Sequence, residues 1–222
     1  MKKRRLGLMA IAVLAVAGAV LAGCVSTGSG AAGVGGAAVS FNGFWEMPSG
    51  DLMYFKENAF VAFRQNGRYI SDGLFVNTNN QIVLHLEEDS VDHITYTIVS
   101  GNIRVTSRNN QWMNGLWRKR DDVSITADDP LTGYWEHKTE NQMRILHIWN
   151  GLMGSLFVCD MEYNISSKSD IEYNSSAPSE LKATITGEGF SIGIPYRFFF
   201  DGGDLVIGLG DMESTYNRYV KK

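Results

Sequence analysis

"NGFWE" occupies residues 42–46, and "TGYWE" occupies residues 132–136. The phrase Gly-aromatic-Trp-Glu thus appears twice, its glycines ninety positions apart in a chain of 222 residues. Such self-similarity argues that one structural unit is written twice. What surrounds each copy has a period of two. "HITYTIV" sets Ile94, Tyr96 and Ile98 on one face and Thr95 and Thr97 on the other. "QIVLHL" does the same with Ile82, Leu84 and Leu86, "NIRVTS" with Ile103 and Val105, and "LKATIT" with Leu181, Ala183 and Ile185. Half-buried antiparallel strands read this way. Turn signals separate them, among them Asn66-Gly67, Gly101-Asn102, Asn114-Gly115 and Asp201-Gly202-Gly203-Asp204. No long amphipathic stretch reads as a helix, so the expected class is all-β.

The repeat runs further. "YTIVSGNIRVT" from Tyr96 matches "YRFFFDGGDLVIG" from Tyr196, and "LWRKR" places Arg118 one hundred residues before Arg218 in "YNRYVKK". The acids and Pro130 of "DDVSITADDPLT" read as a linker, residues 121–130, between units at 42–120 and 131–222. Each unit holds about eight short strands, and closing such a sheet removes its exposed edges. Two tandem up-and-down antiparallel barrels are expected. The rival is a single larger barrel or sandwich formed by pairing the copies.

Gly-x-Trp on a first strand resembles the lipocalin signature, and the short lipocalin-like domains of bacterial lipoproteins are the better match. In that family the Trp closes one end of the barrel against an Arg of the last strand. The resemblance therefore implies barrel-closing pairs Trp45 with Arg118 and Trp135 with Arg218. Each unit is about half a full lipocalin in length, without a Thr-Asp-Tyr motif or a C-terminal helix. Small eight-stranded barrels hold either their own side chains or one small ligand, and strands this short favour a filled core.

The chain opens MKKRR, runs without charge over residues 6–23 and reaches "LAGC", ending at Cys24. Basic start, apolar stretch and small residues make a secretory signal peptide, residues 1–23, rather than a membrane-spanning helix. "LAGC" resembles the lipobox of bacterial lipoproteins. That implies cleavage before Cys24 and its lipidation by a diacylglyceryl group, with a further acyl chain such as palmitate on the new amino terminus. Two or more chains anchor stably. Val25 follows the cysteine instead of the Asp that often marks inner-membrane retention, so the resemblance points to an outer membrane, with either face possible. Residues 24–41 form the lipidated Cys and a Gly/Ala/Ser tether. Loss of residues 1–23 removes four cations and no acid, taking the net charge from −4 to −8. An acidic chain without a basic cluster argues against nucleic acid as a partner.

Chemistry is sparse. Besides Cys24 there is one cysteine, Cys159, in a strand pattern that suggests a buried inert thiol. The histidines, His85, His93, His137 and His147, lack zinc-site spacing, and His85 and His147 fall on what read as outer strand faces. "EEDSVDH" lacks the punctuation of a calcium loop. Glu46 and Glu136 recur through duplication. No nucleophile elbow, phosphate loop or dinucleotide fingerprint appears, so no metal, cofactor or catalytic residue is expected. Large apolar residues beside turns, Trp112 with Met113 and Trp149 with Met153, are candidates for a ligand or partner surface. Two functional classes remain. One is a lipid-anchored module binding a small apolar molecule or peptide, and the other a structural or protein-interaction lipoprotein with filled barrels.

Overall fold

The computed structural model describes residues 39–78, 80–87, 90–125, 129–150, 153–173, 180–187, 190–209 and 217–222. Cys24, the signal stretch and most of the tether lie outside the described residues. The first closed barrel is built from β1 (Gly43–Glu46), β2 (Leu52–Lys56), β3 (Ala59–Phe63), β4 (Tyr69–Thr78), β5 (Gln81–Glu87), β6 (Ser90–Val99), β7 (Asn102–Ser107) and β8 (Gly115–Arg120). The second consists of β9 (Gly133–Lys138), β10 (Met143–Ile148), β11 (Met153–Cys159), β12 (Ile165–Tyr173), β13 (Glu180–Gly187), β14 (Phe190–Asp201), β15 (Asp204–Leu209) and β16 (Asn217–Lys221). Every neighbouring pair is antiparallel. The first and last strands close each barrel, Trp45 facing Lys119 in the first and Trp135 facing Lys221 in the second.

The repeated phrase lies at both closures. Its glycine adopts φ +107° at Gly43 and +139° at Gly133, a region that disfavours side chains. Two residues on, the indole is buried. Trp45 Nε1 donates to the Phe41 carbonyl at 2.8 Å, and Trp135 Nε1 donates to the Leu131 carbonyl at 2.8 Å. The cation over each ring is not the expected arginine. Lys119 Nζ stands 5.9 Å from the Trp45 centroid, and Lys221 Nζ stands 4.9 Å from that of Trp135. Arg118 is exposed on the outer face, because Trp117 points inward and neighbours alternate. Arg218 instead clasps the β14–β15 hairpin, bonding Asp201 and, at 2.8 Å, Asp204. The glutamate of each phrase also meets a cation, Glu46 with Arg120 of β8 at 2.9 Å and Glu136 with Lys222, just past β16, at 4.0 Å. Structural equivalence near the C-terminal strands is therefore offset by 102 positions, matching Lys119 to Lys221 and Trp117 to Tyr219.

The barrels pack side by side over a third core. From the outer face of the first come Ala59 and Leu74, and from the second Tyr134, Met143, Ile145, Phe157, Cys159 and Ile165. Polar groups are carried into the seam. Lys168 Nζ lies 2.6 Å from Asp72 Oδ1, a carboxylate with no exposure, and the Tyr69 hydroxyl donates to the same oxygen at 2.6 Å. The Tyr163 hydroxyl donates to Asn58 Oδ1 at 3.0 Å. Tyr54 stacks on His147 with ring centroids 6.1 Å apart, and Tyr69 stacks on Trp149 at 5.8 Å.

Candidate functional site

The two lumens differ in what fills them. In the first, Trp45, Trp117, Phe41, Phe55, Phe60 and Phe75 pack together, and Met113 is drawn in from the single-turn helix Gln111–Met113. Phe55 alone has Phe41, Phe60, Phe75 and Trp117 as ring neighbours. This barrel is solid, as short strands lead one to expect.

The second barrel departs from that expectation. Where the first has Phe41, Phe55 and Trp117, the matching positions hold Leu131, Ile148 and Tyr219. Of these smaller groups Tyr219 lines a hollow of about 310 Å³, which Leu131, Ile148 and the Trp135 plug do not border. Its apolar wall is Leu146, Leu156, Ile171, Leu181 and Ile207. Polar groups join the lining at Arg144, Tyr196, Asn217 and Tyr219. Inward-facing Leu156 and Tyr196 are only partly buried although they pack on the core, so the hollow communicates with solvent.

Arg144 reaches this lumen by alternation along β10. Leu146 and Ile148 belong to the inner core, Ile145 and Met143 to the seam, and Arg144 is two residues before Leu146. Arg144 and Tyr219 line the same hollow. Burial pushes the Tyr219 phenol up to about 12, against a downward pull from the guanidinium, so it is a neutral hydroxyl at physiological pH. Beside it, His137 Nδ1 is 2.8 Å from the Arg218 carbonyl, and the two rings, His137 and Tyr219, are 5.4 Å apart.

The four surface candidates separate into two pairs. Trp112 is exposed with its indole N–H donating to Asn110 at 3.2 Å, and Met153 is exposed on β11. Met113 and Trp149 are buried, the first in the first barrel's core and the second in the seam, so neither presents a surface. Physically, a large apolar residue beside a turn folds inward whenever a cavity or a neighbouring face can receive it. The outer face of the second barrel's strands also carries buried polar groups. His147 is wholly buried in the seam, and among the described residues neither ring nitrogen has a hydrogen-bond partner. Burial holds its pKa down at about 4. Tyr134, His147 and Ser155 form one cross-strand row on β9, β10 and β11 facing the first barrel. Cys159 is buried in the same seam, its thiol pushed up to about 12 by burial, which disfavours the nucleophilic thiolate.

The sequence holds one signal of this buried row. A strand with apolar residues on both faces, as in "MRILHI", implies cover on both faces. Comparison of the chain with protein-family models, with curated proteins and with solved structures gives no match.

Proposed function

We propose that the chain is a lipid-anchored extracytoplasmic binding protein of the bacterial envelope, and that its second barrel holds a small apolar molecule. The observation that carries this reading is the apolar hollow of about 310 Å³ in the second lumen. Small-molecule sites are concave, mostly apolar and bear a few placed polar groups, and their volumes begin at about 300 Å³. The first barrel, packed solid, serves as the fixed half against which the second is braced. The anchor rests on the "LAGC" stretch ending at Cys24, and the outer membrane on Val25 after it. The lipocalin-like resemblance agrees with binding inside a closed eight-stranded sheet.

A second reading has its own support. Trp112 and Met153 are exposed at 39% and 45%, and a solid first barrel offers only its outer surface, as a structural or protein-interaction lipoprotein would. One measurement separates the two. Native mass spectrometry of the chain, gently extracted from its own envelope, is expected to show a mature form beginning at an acylated Cys24 and carrying a small-molecule adduct. That adduct should vanish in Leu181→Trp, which fills the hollow. An acylated chain with no adduct under conditions that preserve the fold would favour the interaction reading.

A further inference from the structure

We propose that the ligand of the second barrel is a small amphiphilic carboxylate, its apolar part against Leu146, Leu156 and Leu181 and its carboxylate on Arg144 and the Tyr219 hydroxyl. The proposal rests on the binding reading above and names the chemistry of the ligand. Its first support is a charge in an apolar lining. Arg144 is half-buried, and a guanidinium that faces an apolar wall on one side favours an anionic partner there. Among the described residues no carboxylate lies within ion-pairing distance of Arg144. Tyr219 lines the same hollow and brings a hydroxyl to it. The planar fork of Arg matches a carboxylate bidentately, and a protonated phenol adds a donor from the side.

The second support is the contrast between barrels. Pairing places Arg144 opposite His137, two steps beyond the Trp135–Leu146 pair; the same count from Trp45–Met53 reaches Asp51. Asp51 is an anion, and Arg64 Nη1 already occupies it at 2.9 Å. The cation thus occurs in the barrel that is hollow, and the solid barrel has an ion pair complete within itself. The third support is the electrostatic setting. The mature chain expected from cleavage before Cys24 has a formal charge of −8, so its long-range field repels anions and selection must come from a local group.

The hollow corresponds to the liquid volume of about ten waters, which suits an eight-carbon chain with its head group. Octanoate and octanol are therefore the probes, titrated calorimetrically into the mature chain produced without its acyl groups, so that no detergent competes. Octanoate is expected to bind at least tenfold more tightly than octanol. Arg144→Gln should bring the ratio of octanoate to octanol affinity down to about one, and Tyr219→Phe should reduce it in part. Equal affinity for the two probes would overturn the carboxylate proposal and leave an apolar-ligand site standing. Binding of neither would overturn the binding reading and the proposal with it. If Arg144→Gln loses its β-type circular dichroism, the wild-type comparison and Tyr219→Phe still decide.

Discussion

Trp45 is fixed from three sides. Its indole N–H donates to Phe41 O at 2.8 Å, the Phe41 ring lies 5.6 Å away, and Lys119 Nζ covers its face at 5.9 Å. With no exposed surface, its truncation removes core rather than a contact with solvent. Trp45→Ala should cost about 3–5 kcal/mol in urea unfolding of the whole chain. Lys119→Ala should cost less, about 0.5–1 kcal/mol, since the ammonium is exposed and hydrated. Arg118→Ala should fall within about 0.5 kcal/mol, as surface substitutions do. A loss at Arg118 comparable to that at Trp45 would reverse the assignment of the covering cation. The position of the plug was legible in the sequence because the phrase Gly-aromatic-Trp-Glu recurs around two of the chain's five Trp residues. The identity of the cation was not. Matching Arg118 to Arg218 followed residue type, whereas the fold matches by which side chains point inward, and Trp117 fixes Lys119 as the next inward residue of β8.

At the scale of single strands, alternation predicted the inner face in part. Ile82 and Leu84, Ile94 and Tyr96, Ile103 and Val105, and Leu181 and Ala183 are buried, whereas Ile98 and Ile185, expected on the same faces, are exposed near the strand ends. It missed the seam because β3 and β10 do not alternate. "AFVAF" buries four residues in succession, and "MRILHI" buries five of its six. A strand at a barrel's free surface needs only one apolar face; these carry two, since the second is roofed by the other barrel. Gly154 marks the same crowding, because a Cβ there would stand 2.4 Å from the His147 carbonyl oxygen. The hollow was illegible for another reason. It is a sum of side-chain volumes contributed by many strands, and the sequence gives no distances among them. The seam makes a sharp prediction for β10. Ile145 faces away from its own barrel's lumen yet has no exposure. Ile145→Ala is expected to cost about 2–5 kcal/mol, the range for a buried aliphatic truncation. An effect below about 0.5 kcal/mol, typical of solvent-facing positions, would show that the barrels do not remain packed in solution.

For the molecule as a whole, the seam makes the two barrels share a polar interior, and that interior is sensitive to acid. His147 faces Tyr54 of β2 and Tyr134 of β9, with Trp149 at its edge and Ser155 as its cross-strand neighbour. Desolvation lowers its pKa from 6.5 to about 4, with Asp72 pulling weakly upward and Lys56 downward. In the unfolded chain the ring takes a proton near pH 6.5, whereas the folded chain refuses it until about pH 4. The stability held by a neutral His147 is therefore complete above pH 6.5 and is lost as pH falls from 6.5 toward 4. At 1.36 kcal/mol per unit of pKa, the loss between pH 7.5 and pH 4.5 is on the order of 2–3 kcal/mol. His85 also has its pKa lowered by burial and adds in the same sense. Asp170 is shifted upward, first by burial, so it gains relative stability in acid and opposes them. Comparing variants isolates the one ring. His147→Phe keeps a flat ring for Tyr54 to stack on and removes the titrating nitrogens. Urea unfolding at the two pH values should show a distinctly smaller acid loss for this variant than for the parent chain. An identical loss in both would mean that His147 reaches solvent when protonated and does not carry the acid sensitivity of the seam.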